Sequence, residues 1–182
     1  VLMGNHVLQR GRDQHLAGQL ERFGRREGAT SIKPCAASAG RGAQKRCPVR
    51  AIVYERYGPP DVLRLEEMEK PEPKGDHVRV KVRTVSVNAP DWRLMRASPF
   101  LARLHSGLLR PRFRILGSDI AGTVEVVGSE VKQYRVGDDV FGDLLSFGLG
   151  GFAEYVCAPE RALARKPAGV SFEDAAATPM AA

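Results

Sequence analysis

The sequence has few cysteines, and its cysteines and histidines show no metal-binding spacing. The three cysteines are Cys35, Cys47 and Cys157, an odd number without a C-x-x-C pair. This excludes a disulfide framework and favours a reducing compartment, so we expect a cytoplasmic protein. The four histidines are scattered along the chain, so we expect no metal site.

Long hydrophobic runs are also missing. No stretch approaches the roughly 18–20 apolar residues that cross a bilayer, so we expect no membrane association. The chain is 43% hydrophobic and 27% charged, which is near the average for globular proteins. This composition excludes a chain that is disordered throughout and a fibrous repeat.

The net charge of +7 is unevenly distributed along the chain. Residues 1–48 contain 9 Lys/Arg against 3 Asp/Glu, whereas residues 49–182 contain 19 against 18. Because the basic surplus lies in the first segment, the body of the chain lacks the charge typical of nucleic-acid-binding domains. We therefore do not expect nucleic acid as a partner.

Residues 1–48, called the leader below, have one aromatic residue and too few apolar positions for a core, so we expect them to be disordered. Three interpretations remain open: a basic interaction tail, an arginine-rich organellar address, or upstream sequence that is no part of the working protein. Under the third interpretation, a valine-type start codon lies at Val49.

Residues 49–182 are rich in short strand patterns bounded by glycine and proline. The clearest is 77–82, in which valines alternate with polar residues. The alternation then changes phase, which predicts a β-bulge near Arg83 or Thr84. Because strands and helices do not alternate regularly, we predict a mainly β fold, namely a partly open β-barrel with short helices.

Short helical segments are predicted at 91–95, at 100–109, where Gly107 interrupts the pattern, and at 175–182. The last follows a capping-box pattern at 171–174, and the chain ends within it. Residues 148–153 superficially fit a phosphate-binding G-x-G-x-x-A turn. The alternating residues 154–157 after it predict a strand, whereas such a turn needs a helix there.

The most informative stretch is G-S-D-I-A-G-T-V-E-V-V-G at 117–128, which predicts a turn, a close backbone approach at its second glycine and a buried strand. It resembles a signature of the quinone oxidoreductase (zeta-crystallin-like) branch of the medium-chain dehydrogenase/reductase superfamily. Three further pieces resemble that branch in the same order: A-I-V-Y-E-R-Y-G-P-P-D-V-L at 51–63, V-S-V-N-A-P-D at 85–91, and G-D-D-V-F-G with G-F-A-E-Y-V at 137–156.

The resemblance covers residues 49–182 and none of the leader. It implies the GroES-like catalytic domain of an NADPH- or NADH-dependent oxidoreductase that reduces quinones, enones or aldehydes by hydride transfer. In that family a Rossmann domain, which binds most of the cofactor, follows in sequence, and it is absent from this chain. The resemblance also implies that the full-length form is a homodimer.

The resemblance is to the branch that does not use zinc. Zinc alcohol dehydrogenases of the superfamily have a cysteine where this sequence has Asn88, and a His-Glu pair where it has Ser118 and Asp119. Neither asparagine nor serine is a useful zinc ligand, and the four-cysteine structural lobe is missing. We therefore expect a cofactor and a small carbonyl or quinone substrate, but no zinc.

Two polar residues are the candidate catalytic residues. By resemblance, Asn88 lies at the cleft near the nicotinamide ribose, where it contacts the cofactor, and Asp91 shapes the same floor. The alternative is structural: Asn88 satisfies a turn and Asp91 caps the helix that follows.

Three residues are candidates for the substrate pocket. Trp92, the one tryptophan, is a candidate pocket wall, with a place in the core as the alternative. Tyr57 precedes a Gly-Pro-Pro turn and is a candidate phenol at the pocket rim. Leu101 lies in a long connection over 99–111, which is typical of binding walls and lids.

Two functional hypotheses follow. In the first, the chain is the catalytic half of an oxidoreductase and is inactive alone, because it has no dinucleotide-binding domain. In the second, it is a stand-alone GroES-like binding module without enzymatic activity.

Overall fold

A computed structural model describes residues 2–3, 48–98, 103 and 106–181. The strands are β1 (Leu2–Met3), β2 (Val49–Val53), β3 (Arg64–Met68), β4 (His77–Val85), β5 (Asp119–Val127), β6 (Asp139–Asp143), β7 (Tyr155–Pro159) and β8 (Leu163–Arg165). The helices are α1 (Ala89–Arg96) and α2 (Phe172–Ala177), and short 3-10 turns lie at Pro60–Val62, Leu145–Phe147 and Glu160–Ala162. Apart from Leu2, Met3 and Pro48, the leader lies outside the described residues.

The main sheet has the order β1-β4-β5-β6-β8. Strand β7 pairs with the first part of β4, His77–Lys81, whereas β1 pairs with its end, at Thr84 and Val85. Strands β2 and β3 form a second, two-stranded sheet. Isolated bridges from Ala51 to Ala153 and from Val53 to Ile115 join it to the rest. The strands from β2 onward pair antiparallel, and the described sheets do not close on themselves. The predicted mainly β, partly open architecture is therefore confirmed.

The predicted bulge lies at Arg83. Val82 pairs with Gly122 and Thr84 with Ala121, so Arg83 has no partner in β5. The extra residue moves the buried side of β4 from the phase of Val82 to that of Val85, and both side chains are buried. This end of β4 leads directly into α1.

The core lies between the sheets and beneath α1. Its largest fully buried side chains come from most parts of the domain: Tyr54, Met95, Leu116, Ile120, Leu144, Val53, Val78, Val80, Val85 and Val124. Burying such apolar area is the main force that holds a domain of this size together. In the part of the chain described here, every helix is too short or too polar to span a membrane.

Helix α2 differs from the sequence prediction in its bounds. Its N-cap is Ser171, whose Oγ accepts the N–H of Asp174 at 3.0 Å, as the capping-box pattern predicted. The helix ends at Ala177, five residues before the predicted end. Pro179 has no N–H to continue the ladder of hydrogen bonds. The next N–H, that of Met180, donates to Asp119 Oδ2 at 3.1 Å.

Candidate active site

The site is built where β4 passes into α1. Asn88 is the N-cap, in extended conformation, and Pro90 lies in the first turn. The N–H of Asn88 donates to Asp91 Oδ2 at 2.8 Å. This carboxylate at the third helical position satisfies a donor that the helix would leave unpaired. The helix therefore begins at Ala89, two residues earlier than the predicted 91–95.

Asp91 also fixes a second loop. Its Oδ1 accepts the N–H of Gly117 at 3.0 Å, and the side chain is fully buried. One carboxylate thus joins the start of α1 to the glycine turn before β5. These contacts confirm the capping interpretation of Asp91; a direct catalytic role stays a prediction.

The partly exposed side chain of Asn88 points toward β5. Its Nδ2 donates to Asp119 Oδ2 at 2.9 Å. The hydroxyls of Ser86 and Ser118 lie farther from the same nitrogen, at 3.4 Å each. The amide is therefore oriented with its NH2 group toward a carboxylate, because a carboxylate without a proton can only accept.

Sequence reasoning missed the part played by Asp119. It treated Ser118 and Asp119 only as residues that replace zinc ligands. In the structure Asp119 is fully buried, and its Oδ2 accepts from both Asn88 Nδ2 and the N–H of Met180, while its Oδ1 is buried without a hydrogen-bond partner. The one signal in the sequence was its position in the G-S-D-I-A-G segment, between Gly117 and Gly122.

Burial governs the electrostatics of both aspartates. It raises the pKa of Asp91 to about 7, against the opposing effect of the N–H groups of Asn88 and Gly117. Burial likewise raises the pKa of Asp119 to about 6, and the nearby carboxylate of Asp143 adds to the effect. Both carboxyl groups therefore exchange protons close to neutral pH.

These raised values predict how stability depends on pH. Between the ordinary aspartate pKa of 3.8 and about 6–7, these carboxyl groups are protonated in the folded chain and ionised in the unfolded chain. The free energy of unfolding should therefore rise as pH falls from 7.5 to 5, and the slope approaches about 1.4 kcal/mol per pH unit for each group once the pH is below the pKa of that group in the folded chain. Glu125 has a lowered pKa and acts in the opposite direction, below its ordinary value of 4.5.

Urea unfolding at several pH values measures this slope. Asp119→Asn should flatten it, because the amide does not titrate, whereas the exposed Glu67→Gln should leave it unchanged. A stability that stays constant or rises between pH 5 and 7 would contradict the burial argument.

The three candidate pocket residues differ in what the structure shows of them. The phenol of Tyr57 lies 2.9 Å from the carbonyl oxygen of Ser106 and 2.6 Å from that of Gly107, so this side chain is anchored to the main chain at 106–107. Trp92 is partly buried and packs against the core. Leu101 lies outside the described residues. The structure thus brings Asn88 and Asp91 together and places Tyr57 on a different set of contacts.

Two cofactor hypotheses can be compared with these residues. The first hypothesis is a zinc site. The polar groups around Asn88 are its own amide, a hydroxyl and a carboxylate, and they do not include the thiolate or imidazole ligands typical of protein zinc sites. Residues 148–153 lead into the strand β7, as predicted, and not into a helix. This loop therefore does not fit a dinucleotide phosphate, which needs a helix N-terminus.

These elements define a class: a small antiparallel β domain in which a helix-capping asparagine meets an aspartate of the neighbouring strand. The chain belongs to the alcohol dehydrogenase GroES-like domain family, whose model matches residues 74–168. The match lies within the predicted 49–182 domain. The resemblance to quinone oxidoreductases of the medium-chain dehydrogenase/reductase superfamily is confirmed.

Individual relatives are oxidoreductases. The chain is 36% identical over 140 residues to the 2-methylene-furan-3-one reductase of Solanum lycopersicum, and 36% identical over 140 residues to the chloroplastic NADPH-dependent alkenal/one oxidoreductase of Arabidopsis thaliana. Each match covers 73% of this chain and 34% or 35% of the relative. The quinone oxidoreductase structure from Coxiella burnetii superposes with a TM-score of 0.65 at 32% identity, covering 73% of this chain and 41% of that one. The chain therefore spans about a third of the length of these curated relatives.

Proposed function

We propose that this chain supplies the substrate-side domain of an NAD(P)H-dependent oxidoreductase that reduces quinones, enones or aldehydes by hydride transfer. The similar proteins support this chemistry, since their names describe reduction of a furanone, of alkenals and enones, and of quinones. The observation that carries the proposal is the anchored amide of Asn88, whose Nδ2 lies 2.9 Å from the buried carboxylate of Asp119, the first residue of β5. Preorganised polar groups of this kind are what an active site requires.

The nicotinamide cofactor, NADPH or NADH, supplies the hydride when it is bound. Its phosphates have no cradle among residues 148–153, so we propose that a separate dinucleotide-binding domain holds it. Asn88 is the residue of this chain that we propose to contact its nicotinamide side. Asp91 and Asp119 do not reach the cofactor in this proposal, because both are fully buried. Asp91 holds the backbone of Asn88 and Asp119 holds its side chain.

We propose that the reaction proceeds without zinc. The amide, hydroxyl and carboxylate around Asn88 support this, because none of the soft or imidazole ligands typical of a catalytic zinc site is present at these positions. Substrate activation then depends on hydrogen bonding and on the shape of the pocket. The described residues that we propose for its wall are Tyr57, whose phenol is anchored to 106–107, and the partly buried Trp92. Leu101, outside the described residues, is a further candidate.

The setting of the complete protein is also a proposal. Cysteine usage supports a reducing compartment, which we take to be the cytoplasm, and the oxidoreductase relatives support a small-molecule substrate. We propose a homodimer for the complete protein.

A chimera tests the function directly. Residues 49–182 would replace the corresponding domain of the Coxiella burnetii quinone oxidoreductase, and NADPH oxidation would be followed with 1,4-benzoquinone. We expect turnover by the chimera and none by the isolated 182-residue chain, because residues 148–153 do not form a dinucleotide-binding turn. Asn88→Ala in the chimera should lower kcat about 100-fold, the usual cost of losing one preorganised polar group.

The control variant is Glu67→Ala, an exposed residue of β3, which should leave kcat unchanged. A chimera that folds and binds NADPH yet reduces no quinone, enone or aldehyde would contradict the proposal and favour a binding module. Turnover by the isolated chain would contradict the need for a second domain.

A further inference from the structure

We propose that Asp119 is a positioning residue that joins the side chain of Asn88 to the main chain at Met180, so that the cleft amide and the segment 178–181 move as one unit. This inference deepens the proposed function and rests on it for the importance of Asn88. The joint itself is a property of the described chain and needs neither cofactor nor substrate to be observed.

The contacts that define the joint come from three separate parts of the chain. Asn88 Nδ2, at the start of α1, lies 2.9 Å from Asp119 Oδ2, and the N–H of Met180, beyond α2, lies 3.1 Å from the same oxygen. Asp119 is itself fixed, because the N–H of Ser86 donates to its main-chain oxygen at 3.1 Å. The side chain of Asp119 is fully buried, and this low-dielectric setting strengthens the hydrogen bonds that it accepts.

Both donors use one oxygen atom. Asp119 Oδ1 is buried and has no hydrogen-bond partner, so the carboxyl group receives Asn88 and Met180 through Oδ2 alone. A shift of either donor therefore acts on the other through a single acceptor atom.

The position of Met180 gives the joint its functional meaning. The chain aligns with only about a third of the length of its curated relatives, and α2 packs on the central strands β4 and β5. Segment 178–181 follows α2 directly. We infer that movement of this segment reorients the amide of Asn88, and that Asp119 transmits the movement.

Protonation of Asp119 offers a direct probe of the joint. The free Oδ1 is the site for the proton, which leaves Oδ2 as a weaker, neutral acceptor for both donors. The charged groups that face it are the carboxyl groups of Asp91 on α1 and Asp143 on β6. Among the described hydrogen bonds, its main-chain oxygen accepts the N–H of Ser86, just after β4, and its side chain accepts the N–H of Met180, after α2.

Nuclear magnetic resonance of the isotope-labelled 182-residue chain tests the joint. The side-chain NH2 signal of Asn88 and the backbone amide signal of Met180 should titrate together, with one shared midpoint near pH 6. In Asp119→Asn neither signal should titrate at that midpoint. The Met180 amide should then exchange with solvent about tenfold faster, as expected for the loss of one charge-assisted hydrogen bond.

Asp139→Asn is the matched control. Asp139 lies on β6 and accepts from Thr123 at 2.9 Å, without contact to Asn88 or Met180 among the described hydrogen bonds. Both signals should keep their shared midpoint in that variant. Different midpoints for the two signals in the unaltered chain would overturn the joint, and this readout does not depend on a variant that folds. Because no cofactor or substrate is involved, a failed reductase assay and a failed joint are distinguishable.

Discussion

Asp91→Ala is expected to lower the free energy of unfolding by about 2–5 kcal/mol. The substitution removes the carboxylate that accepts the buried N–H of Gly117 at 3.0 Å and the part-buried N–H of Asn88 at 2.8 Å. Each such loss costs about 1–3 kcal/mol, and the loss at the part-buried Asn88 is the smaller of the two. It also frees the start of α1 from the turn before β5. Urea unfolding followed by circular dichroism gives the global value, and Trp92 fluorescence reports the helix next to the change.

Asp91→Asn separates the two contacts. The amide keeps one acceptor oxygen but presents its NH2 group to the second N–H, so we expect a loss smaller than that of the alanine variant. The exposed Glu67→Ala should change stability by less than about 0.5 kcal/mol. If Asp91→Ala were as stable as Glu67→Ala, Asp91 would not be the structural centre of the site.

Gly122→Ala is the second large effect. A Cβ at this position would lie 2.3 Å from the main-chain oxygen of Lys81 and 2.9 Å from Cγ1 of Val80. The carbonyl belongs to the paired strand β4 and cannot move away without breaking the register next to the bulge. We expect a loss of about 3 kcal/mol or more, at the upper end for overpacking, and with it a displacement of the strand that carries Asp119.

Gly137→Ala is the comparison variant. Gly137 has a φ of 96°, and a Cβ there would meet no atom within 4 Å, so its substitution costs only backbone strain, roughly 1 kcal/mol. Thermal unfolding of the two variants side by side measures the difference. Equal losses would show that the close approach of β4 and β5 tolerates a methyl group.

The strands and the bulge could be predicted because their signals are local. Alternation and phase change are visible along β4 itself, and the glycines mark where β5 begins and ends. Helix ends were harder. Because Asp91 accepts the N–H of Asn88, α1 begins at Ala89, two residues before the predicted start. Because Pro179 has no N–H, α2 ends at Ala177, before the predicted end.

The site was only half visible in the sequence. Asn88 and Asp91 were found from a motif within one short segment, but Asp119 is 31 residues from Asn88, and Met180 is 61 residues from Asp119. Only the register of β4 on β5 and the packing of α2 bring them together. The sequence predicted the bulge and the close approach at Gly122, but it did not say which residues of β4 and β5 pair, and that pairing places Asp119 beside Asn88. The predictions for the leader and for Leu101 stay predictions.

Whether the native protein is a reductase with a second, cofactor-binding domain is decided on the protein captured from its source cells. An antibody against residues 49–182 would capture it from its source cells, and its mass and NADPH-dependent quinone reduction would be measured together. We expect a species larger by about one domain, roughly 150 residues, that oxidises NADPH with quinone or enone as acceptor. A species of 19.9 kDa or less that transfers no hydride from NADPH would show that the proposed oxidoreductase function is wrong.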